Sequence, residues 1–306
     1  MTTASIFIAG GTGVIGRRVV PELVRAGFGV TAAARSAAGR AALQGLGATA
    51  VELNLFDRGS VANAVRDQDV VINMATHVPS SRRALLPWSW RENSRVRRLV
   101  SANFAAAVLA GRATRLIQES FAPVYEPAGD RWIDEQSPVR PASYNRTVLD
   151  AESAADRVSA GGKVGIALRF AYFYGSDSDF SQDGVAMVRR GRAPLLGDPD
   201  GYCSSVEHDD AAHAVVAALA LPAGIYNVTD DEPVTRRVFA DAMALALGLA
   251  PPRFFPAWVG KAMGSVAETL SRSQRISNRK LRASSGWAPR YPSVREGWAA
   301  VLRRLL

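Results

Sequence analysis

The run SIFIAGGTGVIGRRVVPELVRAG, residues 5–27, restricts the fold more than any other part of the chain. SIFIAG is a short apolar strand pattern that stops at glycines. Val14, Ile15, Val19, Leu23 and Val24 then recur at helical spacing up to Gly27. Gly10, Gly13 and Gly16 fall in the turn between the two, spaced G-x-x-G-x-x-G. Such glycines permit a tight turn and a close backbone approach by a pyrophosphate, and the helix start offers free N–H groups and a positive dipole end. The stretch predicts a dinucleotide site built from Gly10, Thr12, Gly13, Val14, Ile15 and Gly16. Pro21 is expected to bend the helix.

The alternation continues. GVTAAAR, TAVEL, DVVINMA, RLIQES and KVGIALRF read as further strands. Between them AAGRAALQGLGA, RGSVANAVRDQ and ENSRVRRLVSANFAAAVLAG read as helices. Strands alternating with helices of this length imply an α/β, doubly wound parallel sheet covered on both faces. Ligands of such sheets lie beyond the C-terminal strand ends, where Gly10, Asn54, Ala75, Ser120 and Arg169 fall. The second half is less regular. The expected division is a dinucleotide-binding domain over residues 1–175, with 205–230 returning to it, and a smaller substrate lobe over 176–306.

No run approaches the ~20 apolar residues of a membrane span. The N-terminus enters a strand pattern without a basic leader, so a cytoplasmic protein is expected. The single cysteine, Cys203, excludes an intrachain disulfide and a multi-cysteine zinc site, three histidines argue against a histidine-rich metal site, and His208 in VEHDD, which could join its acidic neighbours at a metal, reads better as a hydrogen-bonded loop residue, so no metal is expected. The net charge of +9 comes mostly from scattered arginines without a nucleic-acid-reading motif, so no nucleic acid partner is expected. Part of the charge suits an anionic cofactor. SRSQRISNRKLR, residues 271–282, and the pair Arg97–Arg98 read as solvated faces. FFPAWVGKAMGSVAETL, residues 254–270, reads as lobe packing or an oligomer contact.

The end of the second strand discriminates between nucleotides. An acidic residue there would accept from the adenosine ribose and repel a 2′-phosphate. Here Ala34 is followed by Arg35 and Ser36, with Arg40 nearby. Arginine pairs with phosphate and stacks on adenine, so NADP(H) is expected.

Taken together, these motifs resemble the extended short-chain dehydrogenase/reductase family, which includes the NAD-dependent epimerase/dehydratases of nucleotide sugars. GGTGVIG matches its fingerprint, and ELNLFD its adenine-contacting segment, with Asn54 and Leu55 at the contacts. VINMATHVP resembles the fourth strand and its cofactor loop, adding Ala75 and Thr76. Asn93, ESFAPVY, LRFAYFYG, VEHDDAAHAVVAAL and ASSGWAPRYPSVREG are similar to later family segments. The resemblance implies a Rossmann-type fold. Paired helices often make dimers in this family, which leaves a homodimer open.

The departures bear on the chemistry. In the family a tyrosine exchanges a proton while hydride moves at the nicotinamide, and a lysine four residues on holds the ribose and lowers the tyrosine pKa. Tyr144 in SYNRTVLDAES matches the tyrosine, but Val148 stands in the lysine slot. Without that cation Tyr144 is expected near the free value of about 10, a donor rather than a base. The family's serine slot falls on Phe121, with Ser120 one residue earlier, and Tyr172 stands where several epimerases carry asparagine. His77, with a reference pKa near 6.5, is a second proton-transfer candidate. Trp88 and Trp90 are candidates to wall a substrate.

The resemblance therefore implies an atypical reductase of a carbonyl or conjugated double bond in a small molecule. Tyr144 would donate the proton, assisted by Ser120 or His77, with His77, Trp88, Phe121 and Tyr172 around the substrate. A non-redox isomerase, cyclase or dehydratase, a nucleotide-sugar epimerase and a non-catalytic NADP sensor are the alternatives.

Overall fold

The computed structural model describes residues 4–256 and 264–303, and only the backbone of Ser81 and Arg82. Seven strands form the central sheet: β1 (Ser5–Ala9), β2 (Gly29–Ala34), β3 (Thr49–Glu52), β4 (Val70–Asn73), β5 (Arg115–Phe121), β6 (Val164–Phe170) and β7 (Gly224–Val228). Their order is β3-β2-β1-β4-β5-β6-β7 and every pairing is parallel. The apolar runs that fill these strands suit burial on both faces. Ile6, Ile8, Ile72, Ile117, Ile166 and Leu168 pack on one side. Phe7, Val71 and Leu116 pack on the other, each one residue out of phase, as strand alternation requires.

Helices α1 (Gly16–Arg25), α2 (Ala37–Gly45), α3 (Arg58–Val65) and α5 (Val148–Ala160) cover the faces. Between α3 and α5 the run 91–110, here α4, joins Arg91–Arg95 and Ser101–Ala110 through a π-helical turn, Val96–Val100. Pro21 lies inside α1 without ending it, because Val19, Val20 and Leu23 anchor both sides of it in the core. From the second half of the chain, α6 (His208–Ala217) packs on α1, and β7 closes the sheet edge.

The remaining residues gather around a second core. Helices Asp179–Arg189, Arg236–Ala246 and Val294–Arg303 enclose Tyr174, Phe239 and Trp298, whose rings stack at 5.3–6.5 Å. This core is tied back to α6 through Asp210. Its carboxylate accepts from the backbone N–H groups of Arg290 (2.8 Å) and Tyr291 (3.2 Å), and its carbonyl accepts from the Trp287 indole (3.1 Å). No helix among the described residues is long and apolar enough to cross a membrane.

Two basic stretches differ from their sequence reading. Arg97 is not solvated: it is 4% exposed and pairs with Glu119 at 3.1 Å, whereas Arg98 faces solvent. In 271–278 burial alternates, because the segment runs extended against the loop after β5. Arg272 and Gln274 both donate there to the carbonyl of Tyr125. In the 254–270 stretch, residues 257–263 lie outside the described residues, and Ser265–Leu270 forms a helix with Val266, Ala267 and Thr269 buried.

Glu207 caps α6, accepting from the N–H groups of Asp209 (2.6 Å) and Asp210 (3.3 Å). Burial nevertheless pushes its carboxyl up to about 7, assisted by the charge of Asp209. A folded-state value above the unfolded one means that the native state holds the extra proton between about pH 4.5 and 7. Stability from this group is present below that window and is lost as pH rises through it. Glu207→Gln keeps an acceptor for the cap, so it should stabilise by roughly 1–2 kcal/mol at pH 8 and by nothing at pH 4.5. Urea unfolding at the two pH values checks this; an equal effect at both contradicts it.

Candidate functional site

The first turn follows from glycine geometry. Gly10 has φ +83°, and a Cβ there would lie 2.4 Å from the Met74 carbonyl oxygen, so the loop rests directly on the end of β4. A Cβ on Gly16 would sit 2.1 Å from the Gly10 oxygen. These two glycines close the turn. Gly13 differs: its Cβ would meet only the Gly10 oxygen, at 3.2 Å, and it opens onto a cleft. No side chain caps α1, and its Arg17, Arg18 and Val19 N–H groups already bond to the carbonyls of Gly13 and Ile15, so a ligand at this end would meet the N–H groups of the loop before them.

The cleft has a volume of about 670 Å³ and is lined by the loop, the ends of β2, β3 and β4, and the start of α4. Thr12, Arg35, Ser36, Asn54, Leu55, Ala75, Thr76 and His77 all line it, as does Phe56, which the sequence reading missed. Val14, Ile15 and Gly16 do not. Ile15 is part of the core and Val14 packs against it, so their side chains are turned from the cleft. Ser36 accepts from the Gly39 N–H (3.1 Å) as the cap of α2. Arg40 is engaged with Glu52 at 2.7 Å, whereas Arg35 is exposed beside Ser36. A glycine floor, an uncapped helix and an arginine at the adenosine end fit a dinucleotide.

Tyr144 does not line this cleft. It is 5% exposed, in the turns before α5, and stacks edge-on against Trp90 with centroids 4.9 Å apart. Burial pushes the phenol up to about 12, against the opposing fields of Arg97 and Arg272, so the expected free value of about 10 is too low. Val148 is fully buried.

Alternation in β5 separates Ser120 from Phe121. Ser120 is 0% exposed and donates to Glu152 on α5 at 2.5 Å. Glu152 is held bidentately by Arg169 at 2.7 Å in each arm, and the Arg169 guanidinium lies over the Tyr125 ring. Ser120 is thus committed to a core network, which does not suit the assisting role expected of it. Phe121 turns the other way and meets Tyr172 edge-on at 6.1 Å. The Tyr172 hydroxyl is buried without a partner, and burial holds it well above the ordinary phenol range.

His77 is exposed at the cleft rim, and its backbone N–H donates to the buried Asn93 at 2.8 Å. Trp88 is 57% exposed, on a 3-10 turn, Pro87–Trp90. Of the two tryptophans, Trp90 contacts Tyr144 and Trp88 stands free. A sequence pattern of two aromatics in four positions does not separate them.

A parallel seven-stranded sheet with a glycine-floored cleft at its C-terminal edge defines a Rossmann-type nucleotide-binding protein. Residues 10–222 match the family described as NAD(P)H-binding, and the chain belongs to it. It is 29% identical to the 3-diazoavenalumate denitrifying reductase of a Streptomyces species, over 95% of this chain and 98% of that one. It is 27% identical to the 2-alkyl-3-oxoalkanoate reductase of Shewanella oneidensis, over 87% of this chain and 72% of that one. Among solved structures it shares its fold with the human epimerase family protein SDR39U1 with NADPH. That match has a TM-score of 0.78 at 18% identity and covers 98% and 99% of the two chains. The Thermus thermophilus UDP-glucose 4-epimerase in complex with NAD matches with a TM-score of 0.76 at 23% identity and 98% coverage of each chain. The fold is that of the epimerase/dehydratases, as the resemblance implied.

Proposed function

We propose that the protein is an NADP(H)-dependent reductase of a carbonyl or conjugated double bond in a small organic molecule. One pairing carries this reading. An open, glycine-floored cleft adjoins α4, the helix whose first turn anchors His77 through Asn93, and the turn just before that helix packs Trp90 on the phenol of Tyr144. A bound reduced nicotinamide would supply hydride. Tyr144, which keeps its proton across the neutral range, donates it to the carbonyl oxygen as the carbon gains hydride, and solvent restores the phenol. Both relatives described above are named as reductases. The rim residues His77 and Trp88 and the Phe121–Tyr172 pair border the substrate in this reading. The test is NADPH consumption over a panel of ketones and enones; no member consumed under saturating nucleotide would sink the reading.

Arg35 is the residue that selects the phosphorylated nucleotide. Arg35→Asp should weaken NADPH by tenfold or more, about the worth of one charge-assisted hydrogen bond, and leave NADH unchanged or tighter. Equal dissociation constants for the two nucleotides in both proteins would remove this role.

A second reading, non-redox chemistry on the same frame, draws on Val148. A buried valine can neither bond a ribose nor place a charge beside Tyr144. It predicts substrate turnover with no net change in nicotinamide redox state. Nucleotide-sugar epimerisation ranks lower, because its oxidative half needs a base, and a phenol at about 12 is a poor one at neutral pH.

A further inference from the structure

Arg18, in the first turn of α1, joins segments that lie far apart in sequence. Its Nη1 donates to the carbonyl of Val14, inside the glycine loop, at 2.7 Å. Its Nε donates to Asp209 at the start of α6, also at 2.7 Å. Its Nη2 donates to both carboxylate oxygens of Asp177, each at 2.9 Å. Asp177 collects further donors. Arg17 reaches its carboxylate and its carbonyl, and the fully buried His208 meets its carboxylate through Nδ1 at 2.9 Å. The His208 hydrogen bond and the charge of Arg18 hold the Asp177 carboxyl well below the usual carboxylate range, so it is an anion at neutral pH and Nδ1 is the donor. A Cβ on Gly175 would lie 2.0 Å from that nitrogen, so glycine is what lets the imidazole close over this turn. Asp177 also stands at the root of the second lobe. The strand Tyr172–Tyr174 ends just before it. The next residue, Ser178, caps the helix Asp179–Arg189 by accepting from the Ser181 N–H at 3.3 Å. The Gly175 N–H donates to Ser181 Oγ at 3.1 Å, and Val185 and Val188 of that helix lie in the second core. Direct contacts therefore run from the nucleotide loop through Arg18 and Asp177 into the lobe.

We infer that Arg18, held by Asp177, is a positioning residue that ties the nucleotide loop to the second lobe, so that filling the cleft and fixing the lobe are one coupled event. Neither Arg18, Asp177 nor the helix behind them lines the cleft, so the tie acts without touching the nucleotide. A pyrophosphate that orders the loop backbone orders the Val14 carbonyl, and through Arg18 the segment that follows Tyr172. Hydrogen-bonded ion pairs between rigid elements carry such coupling. It is reciprocal: what the nucleotide does to the lobe, the lobe does to nucleotide affinity. The inference rests on a dinucleotide occupying the glycine-floored cleft.

Two measurements test this, and neither needs a substrate. Saturating NADPH should slow amide hydrogen exchange across residues 179–189 of the unaltered protein, and Asp177→Ala should abolish the slowing. Calorimetry should show NADPH bound about five- to tenfold more weakly by Asp177→Ala. A simple charge effect has the opposite sign, because loss of an anion near an anionic ligand tightens binding. A merely structural role would speed exchange at 179–189 with and without NADPH alike and leave the difference between the two states in place. Arg18→Gln alters the other end of the tie. It should abolish the slowing as well, which keeps the test open if Asp177→Ala does not fold. The double variant should bind NADPH no more weakly than Arg18→Gln, since both act through one chain of contacts. NADPH that binds the unaltered protein without slowing exchange at 179–189 would overturn the inference and keep the nucleotide site. So would a slowing that persists in the folded variants, or tighter NADPH binding by Asp177→Ala. No NADPH binding by the unaltered protein would overturn the nucleotide reading itself, and the inference with it.

Discussion

Gly13→Val should abolish dinucleotide binding while the fold stays intact. Gly13 does not need a positive φ, and its Cβ direction meets only one oxygen, at 3.2 Å, before opening into the cleft. A valine there fills the space in which a pyrophosphate would approach the backbone, and it shields the N–H groups of the loop before α1. The expected loss is a hundredfold or more in affinity, because several charge-assisted hydrogen bonds go together. Thermal unfolding of the free protein should move by only a few degrees. Gly16→Ala is the contrasting change: its methyl meets the Gly10 oxygen at 2.1 Å, so it should damage the turn and the stability together. Full nucleotide affinity in Gly13→Val would mean that the ligand lies elsewhere.

Tyr144→Phe should lower turnover by about 10²–10⁴-fold, the usual worth of a positioned acid, with nucleotide affinity unchanged. The phenol lies outside the nucleotide cleft, which is why binding and chemistry should separate. The pH dependence has a definite sign. A donor held at about 12 is protonated throughout the neutral range, so kcat should be flat there and fall only in strong alkali. A limb near neutrality would mean that a group other than the Tyr144 phenol is the donor.

The sheet and the nucleotide loop were legible because their signals are local. Apolar runs ending at glycine mark β1 and its turn, and the same period repeats through β6. The position of Arg35 after β2 also follows from local order. Arg97 was not legible. Adjacent arginines look alike in sequence, and only the packing of α4 against β5 buries one and exposes the other. Ser120 and Phe121 posed the same problem at a strand end, where a shift of one residue exchanges the face toward α5 for the face toward Tyr172. Within the basic stretch 271–282, Arg279, Lys280 and Arg282 face solvent as read, but 271–278 was misread because charge suggests solvent. Its arginine and glutamine side chains satisfy loop carbonyls that no strand pairs, a requirement set by tertiary contact. The π-helical turn left no mark in the helical period.

The central claim is nucleotide-dependent reduction, and the most direct measurement is calorimetric titration of nucleotide-stripped protein with NADPH, NADP⁺, NADH and NAD⁺. The phosphorylated pair should bind at least about tenfold tighter than the other, with that margin lost in Arg35→Asp. Absence of binding by all four nucleotides to the folded protein would contradict it.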